Sequence, residues 1–297
     1  MNELPIDPQA VQWQWNRRLA PGVFLHIEVA RRMIERLDVI RIAPQQIINA
    51  GAGLGDDIGL LSQRFPGAAI TAIERAPARL AAGERGWPHA GLAARWRAWR
   101  GGPKVTWVAG DFGSVVLAPA CAQLVWSNCA LHWSARPDEV LKHWAPWLQT
   151  DGLLMFSAFG PDTFRELRQA GREAGLPAVT LPFVDMHDHG DMLIEAGLAN
   201  PVMDVEILRL QWTDVAALFA DLRSFGGNAH RERSAHLLGR RRWQRFVDAL
   251  DAMRNPQGQI ELTVELIQGH AWRPPPRKPG VSTVALDQLR ANLPPRR

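Results

Sequence analysis

Two hydrophobic periods take turns along this chain. Short, dense apolar runs at Ile47-Ile48, Ala69–Ile73, Val105–Val108, Leu124–Ser127 and Leu153–Ser157 predict buried parallel strands. Between them apolar residues recur at helical spacing. Ala30, Met33, Ile34 and Leu37 make His26 to Leu37 an amphipathic helix. Ile58, Leu61 and Phe65, with Leu60 beside them, mark another, and an Ala/Arg-rich stretch to Gly86 a third. Pro137 opens the next, with Asp138 and Glu139 in its first turn and Val140, Leu141, Trp144, Trp147 and Leu148 on its apolar face. Such alternation predicts a parallel sheet covered by helices on both faces. A polar helix over Arg165 to Ala174 follows, then a linker over Leu176 to Pro182 and a helix carrying Met192, Leu193 and Ala196. Asp188 is the expected cap of that helix and Gly197 its end. After a sixth strand, Val202 to Leu210, the rhythm breaks into two helices, Val215–Phe225 and Trp243–Leu250, joined through Gly226-Gly227-Asn228. Ile260 to Ile267 alternates and supplies a seventh strand.

Chemistry concentrates after the first strand. Gly51, Gly53 and Gly55 stand at alternate positions, so the backbone can turn tightly and approach a ligand bare. Glu74 ends the second strand, about 20 residues on, where a carboxylate can accept from both hydroxyls of a ribose. An ordinary strand–helix–strand unit also uses glycines to turn; the acid tips the balance to a nucleoside ligand. A dinucleotide site wants its third glycine three residues after the second and a helix start free of acids. Here Gly55 comes two residues after Gly53, and Asp56 and Asp57 open the helix. Acids there repel a pyrophosphate and tolerate a sulfonium and an ammonium, which points to S-adenosylmethionine. Asp111, past the third strand, is placed to accept from an adenine amino group, and Phe112 to pack on the ring. Asn128 and Trp133, past the fourth, face the same crevice.

The 297 residues carry a net charge of +4, with 46% hydrophobic and 22% charged residues, as in a globular protein. No apolar run approaches the ~18 residues of a membrane span and no signal-peptide pattern opens the chain, so the expected compartment is cytoplasmic. Two cysteines, Cys121 and Cys129, make neither a disulfide framework nor a zinc site. His187, Asp188 and His189 are consecutive and do not converge on one ion, so no metal is expected. Basic residues gather at Arg95–Lys104 and Arg231–Arg245, patches that steer acidic partners. No RNA-binding module accompanies them, nor the Asn/Asp-Pro-Pro-aromatic motif of nucleic-acid methylation.

Later segments narrow the class. Ser127-Asn128 with Leu131-His132-Trp133, Phe159-Gly160-Pro161-Asp162-Thr163 with Glu166-Leu167-Arg168, Val184-Asp185-Met186-His187-Asp188, and Gly269-His270-Ala271-Trp272 together resemble the malonyl-[acyl-carrier protein] O-methyltransferase family of biotin synthesis. That family lies within the class I S-adenosylmethionine-dependent methyltransferases. The resemblance runs from about Trp13 to Pro274. It implies an α/β Rossmann-like seven-stranded sheet of order 3-2-1-4-5-7-6 and a helical substrate lid over 212–254. Around them stand an N-terminal helical cap over 1–44, a methyltransferase domain over 45–272 and a disordered Pro/Arg-rich tail over 273–297. It also implies cofactor contacts from Asn49, Gly51, Gly53, Gly55, Glu74, Asp111, Phe112 and Asn128. Malonyl-loaded acyl carrier protein is the implied partner. Trp133, Arg168 and Arg223 are candidates for the acceptor, the arginines for a two-pronged grip on its carboxylate. The chain departs from the family pattern at Asn49, where aspartate is usual, and at Ala52, usually cysteine. His132 replaces a glutamine, and Leu19-Ala20-Pro21-Gly22 lacks a customary tyrosine; the chain has none. Cofactor affinity and acceptor identity hang on these departures. A relative working on another acceptor, an assembly factor for a respiratory complex and a binding protein without turnover stay open. Oligomeric state is not legible.

Overall fold

The computed structural model describes residues 2–20, 23–87, 104–176, 178–234 and 239–276. Most of the Arg95–Lys104 patch and the tail beyond Pro276 lie outside them.

Seven strands form one sheet: β1 (Gln46–Ala50), β2 (Ala69–Glu74), β3 (Lys104–Ala109), β4 (Ala122–Ser127), β5 (Leu148–Phe159), β6 (Ala199–Trp212) and β7 (Ile260–Trp272). Their order is β3-β2-β1-β4-β5-β7-β6, as the resemblance implied. The first five run parallel, and β7 lies antiparallel between β5 and β6. The central strands are buried on both faces, which is why they read as near-continuous apolar runs.

Helices α1 (Pro8–Asn16) and α2 (Phe24–Arg36) precede the sheet. Then come α3 (Asp56–Arg64), α4 (Pro77–Gly86), α5 (Pro137–Trp144), α6 (Arg165–Glu173), α7 (Met186–Glu195), α8 (Val215–Ser224) and α9 (Arg240–Ala252). One core layer packs α2, α3, α6, α8 and α9 against the sheet; the other packs α5 and α7 on the opposite face. The cap of α7 is Asp185, whose carboxylate accepts from the His187 N–H, and not Asp188, which sits in the first turn. Both precede the apolar face at workable distances; only Asp185 has the extended backbone that a cap requires.

The aromatic and basic segment around Trp13–Arg18 is helix α1 and its exit, begun by Asp7 and Pro8. A bridge between Ile6 and His230 and the edge-on pair Trp15–Trp133 bind it to the end of the parallel sheet where β1 and β4 stop. No helix among the described residues is long and apolar enough to cross a membrane, and no cluster among them can hold a metal ion.

Candidate active site

The glycine turn leaves β1 with φ values of +84° at Gly51, +61° at Gly53 and +87° at Gly55. A Cβ at Gly51 would stand 2.4 Å from the Ala130 Cβ, and one at Gly53 2.7 Å from Arg79 Nη2. Bare backbone is therefore a steric requirement at Gly51, while at Gly53 the left-handed backbone is the stronger constraint, since the Arg79 tip can shift. The cleft above it is narrow, about 70 Å3, lined by Gly51, Gly53, Phe112, Trp15, Asn128 and Trp133 among others.

Glu74 reaches into this cleft from the end of β2. Its Oε2 accepts from the Gly53 N–H at 2.8 Å and its Oε1 from the Ala76 N–H at 2.7 Å. Each carboxylate oxygen keeps a second lone pair for a hydroxyl. Burial pushes the Glu74 carboxyl up, against the two amides and the Arg79 and Arg75 charges that pull it down. Asp56 and Asp57 line the same cleft. Asp57 accepts from Trp126 Nε1 at 3.0 Å and Asn128 Nδ2 at 3.1 Å, and burial pushes it up to about 6. Three carboxylates in so small a space suit a ligand bearing positive charge and ribose hydroxyls, and oppose a pyrophosphate. The donor set thus fits S-adenosylmethionine.

Beside the cleft lies a second, larger cavity of about 510 Å3. Its walls are apolar, with Phe159, Leu167, Phe183, Phe219 and Phe246 among them, and Arg223 and Arg233 add charge. Arg233 is paired with Asp7; the Arg223 guanidinium meets no carboxylate among the described residues. Trp133 lines both cavities and forms the wall between them. Its ring is wedged between Trp15 and Gly226, where a Cβ would lie 2.3 Å from Trp133 Cζ2. His132, stacked on Phe159 with centroids 4.5 Å apart, faces the larger cavity; burial holds it neutral, far below its ordinary range.

Of the residues singled out in the sequence, the structure gathers Gly51, Gly53, Glu74, Phe112, Asn128 and Trp133 around the cleft and Arg223 around the cavity. Gly55 stands behind the turn against Trp107 and Ile58. Asn49 is fully buried beneath the turn, its amide nitrogen and oxygen both without partners among the described residues. Asp111 is not among the residues lining the cleft; it accepts from the Gly113 N–H and pairs with Arg75, which does line it. The Asn128 side chain is committed within the protein, to the His26 carbonyl, Asp57 and Ser157. Arg168 does not line the cavity: its guanidinium donates to the Thr163 and Pro161 carbonyls, and it lines a groove that shares Leu176, Val179 and Leu181 with that cavity. Its neighbours in sequence suggested a ligand arginine, but the carbonyls leading into α6 are nearer. Sequence reading missed Arg79, buried over the Trp15 ring at 4.6 Å, because an Ala/Arg-rich helix looks solvated.

Residues 48–156 match the family described as "Methyltransferase domain". Among solved structures, the YcgJ protein of Bacillus subtilis shares the fold with a TM-score of 0.57 at 13% identity, over 84% of this chain and 99% of that one. A putative methyltransferase from Bacillus halodurans C-125 does so with a TM-score of 0.55 at 11% identity, over 82% and 98%. Sheet order, glycine turn and acid-lined cleft thus define a class I methyltransferase fold. Along nearly its whole length the chain is 42% identical over 278 residues to the malonyl-[acyl-carrier protein] O-methyltransferase of Laribacter hongkongensis, covering 91% of each. It is 37% identical over 289 residues to that of Nitrosospira multiformis, covering 92% of this chain and 91% of the relative. The chain belongs to the malonyl-[acyl-carrier protein] O-methyltransferase family.

Proposed function

We propose that this protein uses S-adenosylmethionine to methylate the free carboxylate of a malonyl thioester on acyl carrier protein, a step in biotin synthesis. The observation that carries the reading is the apolar cavity set against the acid-lined cleft, with Trp133 lining both. An acyl chain suits the one and an adenosyl sulfonium the other.

The cofactor supplies a methyl group activated by a positive sulfur. The acceptor carboxylate is ionised at neutral pH and already nucleophilic, so no general base is required. That fits a cavity whose histidine, His132, is held neutral. The residues have positioning and exclusion to do. Glu74 would hold the ribose hydroxyls, Gly51 and Gly53 would let the cofactor approach the backbone, Phe112 would pack on the adenine and Asp57 would face the cationic end. Arg223 is the cation on the acceptor side. Trp133, Phe159 and Phe183 keep water from a reaction in which opposite charges disappear, and a dry wall favours that outcome. The ester hides the charge from enzymes that elongate the acyl chain. The helices over 212–254 serve as the lid, since α8 and α9 supply Phe219 and Phe246 to the cavity.

Two measurements test this. Calorimetric titration should show S-adenosylmethionine binding that Glu74→Gln largely abolishes, and mass spectrometry should show malonyl carrier protein gaining one methyl. Cofactor binding with an unmodified carrier would move the enzyme to another acceptor. A folded protein that ignores the cofactor would end the enzyme reading.

A further inference from the structure

An open groove of about 700 Å3 runs between the exit of α1 and the end of α8. Arg17, Arg18, Arg79 and Arg223 line it, with Trp13 and Phe24 as exposed apolar walls. Several arginines elsewhere are matched, Arg32 with Glu206, Arg36 with Asp204, Arg209 with Glu261 and Arg233 with Asp7, and those that are not, such as Arg168, Arg240, Arg241 and Arg242, do not line this groove. In the groove, among the described residues, no carboxylate pairs with Arg17, Arg18 or Arg223. Asp221 lines it too, but its Oδ2 accepts from Trp212 Nε1. Arg18 donates instead to the Gln14 and Arg223 carbonyls, and Arg79 to the Arg18 carbonyl at 2.8 Å. Arg17 stacks on the Trp13 ring at 4.5 Å. The crowding is felt: the Arg18 guanidinium is pulled down by burial first and then by the charges of Arg79, Arg17 and Arg223. Four guanidinium groups against the single Asp221 carboxylate leave the groove an excess of positive charge that suits an anion, and their planar forks match a phosphate.

The groove shares Arg223 with the acyl cavity and Arg79 with the cofactor cleft, while Arg17 and Trp13 line neither. An anion held at Arg17 is therefore not the reacting carboxylate, which must come to the cofactor side of Trp133. We propose that this groove binds the phosphodiester of the pantetheine arm that tethers the acyl group to its carrier. The inference rests on the acyl-carrier reading above. In that arm a gem-dimethyl carbon follows the phosphate, and Trp13 and Phe24 offer it apolar surface. Arg17 and Arg18 hold the phosphate while the thioester end passes Arg223 into the cavity.

The test is binding, not turnover. The full chain is titrated calorimetrically with phosphopantetheine and with pantetheine, which lacks the phosphate. The expected result is binding of phosphopantetheine at least about tenfold tighter, a preference that weakens with salt and falls toward unity in Arg17→Gln. Arg17 is exposed and its side chain spans no element, so the variant should fold, checked by its melting temperature. Equal or absent binding of the two ligands by wild type overturns the proposal. So does an undiminished preference in Arg17→Gln together with Arg18→Gln. If Arg17→Gln weakens S-adenosylmethionine and spares phosphopantetheine, the groove serves the cofactor's carboxylate and the proposal also falls. A protein that prefers phosphopantetheine yet leaves malonyl carrier protein unmodified keeps the groove and loses the acceptor.

Discussion

Asp57→Asn tests whether the cofactor cleft works through a buried charge. Asp57 is 7% exposed, and its two oxygens take hydrogen bonds only from neutral donors, Asn128 Nδ2 and Trp126 Nε1. Burial pushes it from 3.8 up to about 6, opposed by those donors and helped slightly by Asp56. For an acid raised in the folded state, the stabilising contribution is full below the ordinary value and lost as pH rises through about 6. At neutral pH the ionised carboxylate thus costs the fold about 3 kcal/mol, at about 1.4 kcal/mol for each pH unit of displacement. A cation beside it relieves that cost and displaces its proton. Cofactor affinity should therefore fall about tenfold from about pH 7 to about pH 5, with one proton released on binding at the lower pH.

The other charged groups facing the cleft can be separated from Asp57. His26 is pushed down to about 4 by burial and stays neutral, and Asp56, Arg75 and Arg79 are left unchanged by the substitution. Glu74, also raised by burial, adds a share that the Asp57 variant retains. The Asn variant should bind weakly at neutral pH, with a flatter pH profile. It should melt no lower than wild type near pH 7, because the relieved charge offsets about 1–3 kcal/mol for one donor left unmatched. Calorimetry in two buffers of different ionisation heat counts the protons. Equal affinity from about pH 5 to about pH 8 without proton release, or an Asn variant that binds like wild type, would refute the reasoning.

Gly51→Ala should lose about 2–3 kcal/mol in urea unfolding, since the new Cβ meets Ala130 at 2.4 Å in a left-handed backbone. Gly59→Ala, inside α3 with open space around it, should gain about 0.5–1 kcal/mol. Arg168→Ala should cost about 1–2 kcal/mol of stability for the freed Thr163 and Pro161 carbonyls and spare kcat/KM on malonyl carrier protein. Arg223→Gln should lower that kcat/KM about tenfold or more with little change in melting temperature; the reverse pattern would return the grip to Arg168.

The strands were legible because each carried its own local signal, a short apolar run bounded by glycine or proline. β5, β6 and β7 outrun those signals: β6 reaches from Ala199 to Trp212 because pairing with β7 holds residues that alternation alone would release. In the site, the glycine turn and Glu74 were legible as backbone geometry and spacing. Asp111 was less legible because Gly-Asp-Phe is equally a turn, and the carboxylate accepts from the Gly113 N–H within that turn. Arg79 and the charge-crowded groove were invisible for another reason. Arg17, Arg79 and Arg223 lie far apart in the chain, and no period or spacing connects them.

The place of β7 bears on how the protein is made. The last of the described strands to leave the ribosome is an interior one, inserted between β5 and β6. Until Ile260–Trp272 has emerged, β5 has a bare edge toward Phe156 and Phe159, and β6 has no sheet to join. Apolar strand edges recruit other chains. The nascent protein therefore passes through a sticky interval that lasts until β7 has been made, and a chain cut short ahead of Ile260 is expected to aggregate rather than to form a smaller enzyme.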